Sequence, residues 1–236
     1  MIIAANFKTN HTRKSTAKYL EKLVSYVKEN SVSEDIYIFP PFTAFDDFEL
    51  CENITLGAQN AYPAEKGSFT GEIGLEQLEE FDIKTVLIGH SERRHILGEN
   101  QGFIAEKFNF FKDRGFKIVY CVGEPLEIRR EGEDALQEYI KLQFSGIDTK
   151  YEKLIVAYEP VWAIGTGLSA EPVQIEETIS FISNLTKAPI LYGGSVKPSN
   201  IKEIVSIAGC GGALIGTASW DVDSFIEMIT IVEQCQ

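Results

Sequence analysis

The run Leu154-Ile155-Val156-Ala157-Tyr158-Glu159 decides the fold of this chain. Its first five residues are all apolar or aromatic, and polar positions do not alternate with apolar ones. A strand that is buried on both faces has this pattern, and such strands occur in parallel sheets that helices cover. The sequence therefore predicts a buried parallel strand that ends at the carboxylate of Glu159.

Seven further short apolar runs, rich in β-branched residues, have the same character. They lie at residues 2–5, 36–39, 54–56, 85–88, 117–122, 189–192 and 212–215. Helical patterns with one apolar face separate most of these runs. These patterns lie at residues 15–29, 103–111, 135–144, 173–185, 200–208 and 225–232.

Alternation of strand and helix along the whole chain predicts an α/β fold. Eight such units in 236 residues, with no linker or low-complexity tract, are typical of a single-domain (β/α)₈ barrel spanning 1–236, with eight parallel strands each followed by a helix. An open doubly wound sheet has the same local pattern and is the alternative. Asn6-Phe7-Lys8 follows the first strand, where a dinucleotide-binding sheet would carry Gly-x-Gly-x-x-Gly.

The charge balance narrows the classes of partner. The chain has 22 Lys and Arg against 35 Asp and Glu, a net charge of -13, which argues against nucleic acid and against anionic membrane surfaces. An anionic substrate would have to be attracted by local donors and cations. The four cysteines have no paired spacing, so we expect reduced thiols and no metal site. No segment is long and apolar enough to span a bilayer and no leader pattern is present, so a cytoplasmic location is expected.

Polar side chains follow several of the predicted strands, at the end where both candidate folds place their functional residues. Glycine clusters follow the last three strands and would let backbone N–H groups approach an anion. The polar residues are Asn6 and Lys8 after strand one, Gln59 and Asn60 after strand three, His90, Ser91 and Glu92 after strand four, and Glu159 at the end of strand six. The clusters are Gly165-Thr166-Gly167, Gly193-Gly194-Ser195 and Gly216-Thr217.

Each of the three most reactive residues also has an ordinary structural interpretation. Lys8 could be one of many exposed lysines, His90 a hydrogen-bonded structural imidazole, and Glu159 half of an ion pair. As a set they are a cation, a helix-start imidazole that would be a neutral donor, and a carboxylate base. Such a set favours proton abstraction next to the carbonyl of a small phosphorylated molecule.

Two other functions use similar parts. A Schiff-base aldolase needs a desolvated lysine in the site, and the remaining lysines next to strands, Lys84 and Lys117, lie at the starting ends. A non-catalytic barrel that binds a sugar phosphate would usually lack the base or the electrophile, and both Glu159 and His90 are present.

Four motifs resemble those of the triosephosphate isomerase family. They are the segment 157–167 (AYEPVWAIGTG), the segment 89–94 (GHSERR), Asn6-Phe7-Lys8, and Tyr192-Gly193-Gly194-Ser195. The resemblance extends from the first strand to the last. It implies an isomerase that interconverts dihydroxyacetone phosphate and glyceraldehyde 3-phosphate without metal or cofactor.

The resemblance also implies roles for individual residues. A glutamate base beside a neutral histidine electrophile is the arrangement known for this family. Glu159 would be the base and His90 the electrophile, with Lys8 and Asn6 at the substrate and Ser91 and Glu92 supporting them. The phosphate would be held by the N–H groups of Gly165, Ser195, Gly216 and Thr217.

Two loops receive functions by the same resemblance. Residues 160–170 would form a lid in which Trp162 moves and which Tyr192 and Ser195 hold shut. Residues 61–74 would dock into a second subunit of an isologous homodimer, with Thr70 reaching the partner's site; a flexible surface loop is the alternative. The chain departs from the family pattern at Phe7, usually Trp, at Thr217, commonly Gly, and at Leu168, frequently Lys.

Overall fold

A computed structural model describes residues 1–164 and 170–235, and it contains the eight strands at the predicted places. Most residues of the strands are buried, as their uninterrupted apolar sequences require. The strands are β1 (Ile2–Asn6), β2 (Asp35–Phe39), β3 (Ile54–Leu56), β4 (Thr85–Ile88), β5 (Lys117–Val122), β6 (Leu154–Tyr158), β7 (Ile190–Tyr192) and β8 (Cys210–Ile215).

All strand pairs are parallel, and the sheet closes on itself. The order in the sheet is β3-β2-β1-β8-β7-β6-β5-β4. The two outer strands meet through one bridge between Ala58 and Val86. There the N–H of Ala58 donates to the carbonyl of Thr85 at 2.9 Å, and the N–H of Leu87 donates to the carbonyl of Ala58 at 2.8 Å. The predicted barrel is confirmed, and the open sheet is excluded.

Side chains from alternate strand positions form two separate cores. Ile2, Ala4 and their counterparts on other strands fill the barrel interior, while Ile3 and Ala5 pack outward against the helices. The period of two along each strand explains this division. Both faces of the described strands are therefore mainly apolar, and the residues available for polar chemistry lie at the strand ends and just beyond them.

The helices lie between the strands, with one exception. After β2 the described chain has a single 3₁₀ turn, Phe42–Ala44, rather than the predicted α-helix. The α-helices are α1 (Arg13–Asn30), α2 (Leu75–Glu79), α3 (Ser91–His95), α4 (Gln101–Lys112), α5 (Leu126–Glu131), α6 (Glu133–Gln143), α7 (Pro172–Leu185), α8 (Ile201–Val205) and α9 (Val222–Glu233).

The helix ends differ from the predicted ones for local reasons. Thr12 caps α1 by accepting a hydrogen bond from the Ser15 N–H, so this helix begins at Arg13, two residues before the predicted start. The predicted helix 200–208 is shorter in the structure, because after α8 the chain turns towards β8, with the Cys210 N–H donating to the Ile207 carbonyl at 3.0 Å. Among the described residues, no helix combines the length and apolarity needed to cross a membrane.

Candidate active site

The carboxyl ends of the strands surround a cavity of about 360 Å³. The structure brings four of the proposed site residues, from three different strands, to its wall: Asn6, Lys8, His90 and Glu159. The wall also includes the strand-seven and strand-eight turns with Ser195, Gly216 and Thr217. Residues separated by more than 200 positions in the chain therefore face one space.

His90 is oriented by the start of α3. It is the N-cap residue of this helix, and its Nδ1 accepts a hydrogen bond from the Glu92 backbone N–H at 3.2 Å. A ring nitrogen that accepts a hydrogen bond carries no proton, so the imidazole is neutral with its hydrogen on Nε2. Nε2 lies 3.2 Å from Oε1 of Glu159. The ring thus presents a neutral N–H donor at the place where a substrate oxygen could accept it.

Glu159 directly follows β6 and is only 2% exposed. Its Oε2 accepts a hydrogen bond from the Ser91 N–H at 3.0 Å, and its Oε1 faces His90. These two donors meet the requirement that a buried carboxylate be hydrogen-bonded. Gly123 makes this packing possible, because a Cβ there would lie 1.8 Å from the carbonyl oxygen of Glu159.

Lys8 is held in a turn that the sequence encodes locally. Its backbone has the left-handed conformation, with φ 52, and its N–H donates to Oδ1 of Asn6 at 3.0 Å. Asparagine side chains commonly stabilise such turns. The Nε2 of Gln59 donates to the Lys8 carbonyl at 2.8 Å, and Lys8 Nζ lies 2.7 Å from Oε1 of Glu92. The ammonium group therefore points from the first strand end towards the helix that carries His90.

The strand-eight turn lies against Lys8. A Cβ at Gly216 would be 3.4 Å from Lys8 Cε and 3.7 Å from its Nζ. Thr217 is exposed and opens a short 3₁₀ helix, Thr217–Ser219. A group bound at this turn would lie next to the ammonium. Gly165, the fourth residue expected at the phosphate, lies outside the described residues.

The first part of the predicted lid is held by side chains from outside it. The Trp162 indole donates to Oε1 of Glu124 at 3.0 Å, and the Ser195 hydroxyl donates to the Ala163 carbonyl at 2.5 Å. Burial raises the pKa of the Glu124 carboxyl. Tyr192 is buried at the end of β7, and burial raises its pKa to about 12. Residues 165–169 of the lid lie outside the described residues.

Thr70 is exposed and lines neither of the cavities near the site among the described residues. A wider cavity of about 770 Å³ adjoins the site and shares Asn6, Lys8 and His90 with it. Gly71, from the loop that carries Thr70, lines this cavity. The exposed apolar side chains of Ile96 and Leu97 also lie there.

The family model for triosephosphate isomerase matches residues 1–232 of this chain. The chain belongs to the triosephosphate isomerase family. Similar proteins that are named triosephosphate isomerase include one from a Nitratiruptor species, which is 60% identical to this chain over 234 residues, or 99% of each sequence. Those from a Sulfurovum species and from Wolinella succinogenes are each 55% identical over 229 residues, covering 97% of this chain and 99% of the relative.

Two departures from the triosephosphate isomerase family pattern lie near the cavity. Phe7 is fully buried and packs against His11 and Tyr19, with ring centroids 4.4 and 4.8 Å away. Thr217 places a side chain on the cavity wall beside Gly216. The third departure, Leu168, lies outside the described residues.

Sequence reasoning missed Glu124, although its signal was present. Glu124 comes two residues after β5 and is fully buried, with the Tyr158 hydroxyl donating to its Oε1 at 3.2 Å. A carboxylate just beyond an apolar strand was the same feature that identified Glu159.

The lysines of the aldolase alternative lie away from the site: Lys84 pairs with Glu79 at 2.8 Å, and Lys117 Nζ lies 2.5 Å from the Tyr37 hydroxyl at the other end of the barrel.

Proposed function

We propose that this chain interconverts dihydroxyacetone phosphate and D-glyceraldehyde 3-phosphate, as an intramolecular aldose-ketose isomerase of glycolysis and gluconeogenesis. The observation that carries the proposal is the 3.2 Å approach of His90 Nε2 to Glu159 Oε1 on the wall of the cavity that Lys8 shares. A base beside a neutral donor and a cation is the arrangement that proton transfer next to a carbonyl needs.

The proposed reaction moves one proton between neighbouring carbons. Glu159 removes a proton from the carbon next to the carbonyl, and the electrons of the broken C–H bond form an enediolate with the negative charge on oxygen. His90 gives its Nε2 hydrogen to the oxygen of the former carbonyl and takes the hydroxyl proton from the neighbouring oxygen, so the negative charge moves to that second oxygen while Lys8 stabilises it. Glu159 then returns the proton to the adjacent carbon, so no external acid, metal or cofactor is consumed.

The buried position of the base supports this mechanism. Glu159 has hydrogen bonds from Ser91 and a facing donor in His90, so its orientation is set before the substrate binds. A substrate oxygen would take the His90 donor from the carboxylate, which leaves Oε1 available to accept a proton. Positioning of this kind contributes several kcal/mol to lowering a barrier, typically about 7 to 11 in the most favourable intramolecular cases.

The phosphate would bind at the strand-seven and strand-eight turns. The N–H groups of Ser195, Gly216 and Thr217 are proposed to donate to its oxygens, together with Gly165. Two further residues would complete the phosphate site: Lys8, which lies beside Gly216, and Asn6, which stabilises the turn at Lys8. A cation and backbone donors at short range would offset the repulsion from a net charge of -13.

Residues 160–170 are proposed to close over the bound substrate. The enediolate can lose phosphate in water, so exclusion of solvent suppresses a side reaction. Trp162 would leave Glu124 as the lid moves, while Tyr192 and Ser195 would hold the closed form. Glu92 and Ser91 would support Lys8 and Glu159 in both forms.

We also propose an isologous homodimer in the cytoplasm, with triose phosphates as the small-molecule partners and with no nucleic acid or membrane partner. Thr70 would enter the wide cavity of the second copy near Asn6 and Lys8. The exposed apolar side chains of Phe69, Ile96 and Leu97 support an interface there. Light scattering at micromolar concentration should give twice the mass of one chain; the mass of a single chain would refute the dimer.

The isomerase is tested with glyceraldehyde 3-phosphate and the purified protein, in the presence of a chelator. We expect fast turnover by the wild type and losses of at least about 100-fold in kcat for both Glu159→Asp and His90→Gln. The matched controls are Glu138→Asp and His95→Gln, which make the same changes at exposed positions. An inactive, folded wild type would refute the isomerase and leave a sugar-phosphate binder.

A further inference from the structure

Three side chains join the first-strand loop and α1 to the strand-eight turn, and one of them, Trp220, also lines the wide cavity. The Tyr19 hydroxyl, buried on α1, donates to the Ser219 carbonyl at 2.9 Å. The Trp220 indole N–H donates to the Asn6 carbonyl at 3.3 Å. The His11 Nε2 lies 2.9 Å from the Trp220 carbonyl, which can only accept, so the ring nitrogen donates.

His11 has a conformation that needs support from its surroundings. Its φ is 71, in the left-handed region that few residues other than glycine adopt, with asparagine, aspartate and histidine the most frequent of them. The imidazole packs on the Phe7 ring at 4.4 Å and against the edge of the Tyr19 ring at 5.7 Å. Strained backbone of this kind persists where neighbouring contacts over-determine it.

These contacts meet at the two backbone segments that would bind the phosphate. On one side, Asn6 holds the turn at Lys8, and the Asn6 carbonyl is the acceptor for Trp220. On the other side, Ser219 ends the 3₁₀ helix that follows Gly216, and its hydroxyl donates to the Gly216 carbonyl at 2.8 Å. The carbonyls that Tyr19 and His11 engage therefore belong to the same short stretch as the turn.

We propose that Tyr19, Trp220 and His11 are positioning residues that set the distance between the strand-eight turn and Lys8, and thereby the affinity for the substrate phosphate. The inference rests on the proposed function, because it assigns the phosphate to this turn. A phosphate must meet N–H donors on the turn and the ammonium of Lys8 together. Side chains that fix both segments reduce the ordering that binding would otherwise require.

The test uses variants that remove single donors: Tyr19→Phe, which keeps the ring, Trp220→Phe, which replaces the indole with a smaller aromatic ring, and His11→Gly, which allows the left-handed backbone. Tyr26→Phe is the matched control, because the Tyr26 hydroxyl lies 2.6 Å from Thr230 Oγ1 and joins α1 to α9 away from the turn. Isothermal calorimetry with inorganic phosphate gives the dissociation constant without any requirement for turnover. Turnover is compared between glyceraldehyde 3-phosphate and glyceraldehyde, which lacks the phosphate.

Each donor removed should raise the phosphate dissociation constant about two- to tenfold, the range for one hydrogen bond. kcat/KM for glyceraldehyde 3-phosphate should fall with it, while kcat/KM for glyceraldehyde stays at the wild-type value. Tyr26→Phe should leave all three quantities unchanged. A merely structural role for the cluster would lower the two kcat/KM values together.

The proposal is overturned if phosphate binds the three variants as it binds Tyr26→Phe, or if the wild type binds no phosphate. It is also overturned if both substrates lose turnover in parallel. If the wild type binds phosphate and the three variants bind it more weakly, but the wild type isomerises nothing, the proposed function fails and the positioning role stands.

Discussion

Gly193→Ala tests whether the placement of Glu159, the proposed base, governs turnover. Gly193 directly follows β7, and its N–H donates to the Tyr158 carbonyl at 2.7 Å. Its φ lies outside the left-handed region, so alanine can adopt the backbone conformation. The added Cβ would lie 2.8 Å from Cγ of Glu159 and 3.6 Å from its Oε1. The new methyl group would therefore press on the side chain of the base.

The size of the effect follows from that distance. Two carbon atoms pack best at about 3.5 to 4.0 Å, so the Glu159 side chain has to move by about 1 Å. The next contact, the Tyr158 carbonyl oxygen, lies at 3.4 Å, so the strands can stay in place. A misplacement of about 1 Å costs a reaction about 100-fold, or about 2.7 kcal/mol in the barrier. We expect this loss in kcat, because the affected group is the proposed base.

The assay measures turnover of glyceraldehyde 3-phosphate, with far-ultraviolet circular dichroism and the thermal midpoint as tests of folding. Gly211→Ala is the matched control: it makes the same change near the start of β8, where the new Cβ would lie 3.3 Å from the Ile190 carbonyl oxygen. It should keep kcat within about twofold of the wild type, as expected for a change remote from the site. A folded Gly193→Ala protein with kcat within about threefold of the wild type would refute the reasoning about placement.

Two further predictions concern buried charges outside the reacting groups. Burial raises the pKa of Glu124 above its ordinary 4.5, so the folded state favours the protonated form, and the stability this provides is lost as pH rises through the folded-state pKa. The unfolding free energy of Glu124→Gln, measured in urea, should therefore rise relative to that of the wild type between pH 4 and pH 7. A difference between the two proteins that does not change with pH would contradict this. Lys107 is fully buried, with its Nζ bound to Glu99 and 2.7 Å from Asn60 Oδ1, while Arg93 also contacts Glu99 at 2.6 Å, so Lys107→Met should cost about 1 to 3 kcal/mol of unfolding free energy. The control is Lys66→Met at an exposed pair, where the midpoint of urea unfolding should stay at the wild-type value; equal effects of the two changes would show that the buried pair contributes nothing special.

The strands were predictable because each is apolar on both faces. The predicted runs 54–56, 85–88, 117–122 and 154–158 coincide with the strands of the structure. The closure of the barrel was not readable in this way, because it depends on Ala58, a residue outside any apolar run, meeting Val86. Local patterns report burial, and they carry no information about which two edges meet.

The candidate site was partly predictable for a similar reason. Parallel strands bring their carboxyl ends together, so residues after those ends could be assembled before any distance was known. The contacts that support the strand-eight turn could not be predicted from the sequence. The Tyr19 contact with Ser219 spans 200 positions of the chain, and the Trp220 contact with Asn6 spans 214. Tyr19 belongs to the apolar face of a helix, and nothing in that pattern separates a tyrosine that only packs from one that also donates.

The first turn of α3 explains how the segment 89–94 (GHSERR) contributes to the proposed chemistry. Two consecutive N–H groups in its first turn have different tasks: that of Ser91 holds the carboxylate of Glu159, and that of Glu92 holds Nδ1 of His90. The first bond fixes where the base lies, and the second fixes which ring nitrogen carries the hydrogen. The helix has only five residues, so these effects come from two specific hydrogen bonds rather than from the dipole of a long helix. A change that moves this turn should therefore disturb the proposed base and the proposed electrophile together, even though they follow different strands.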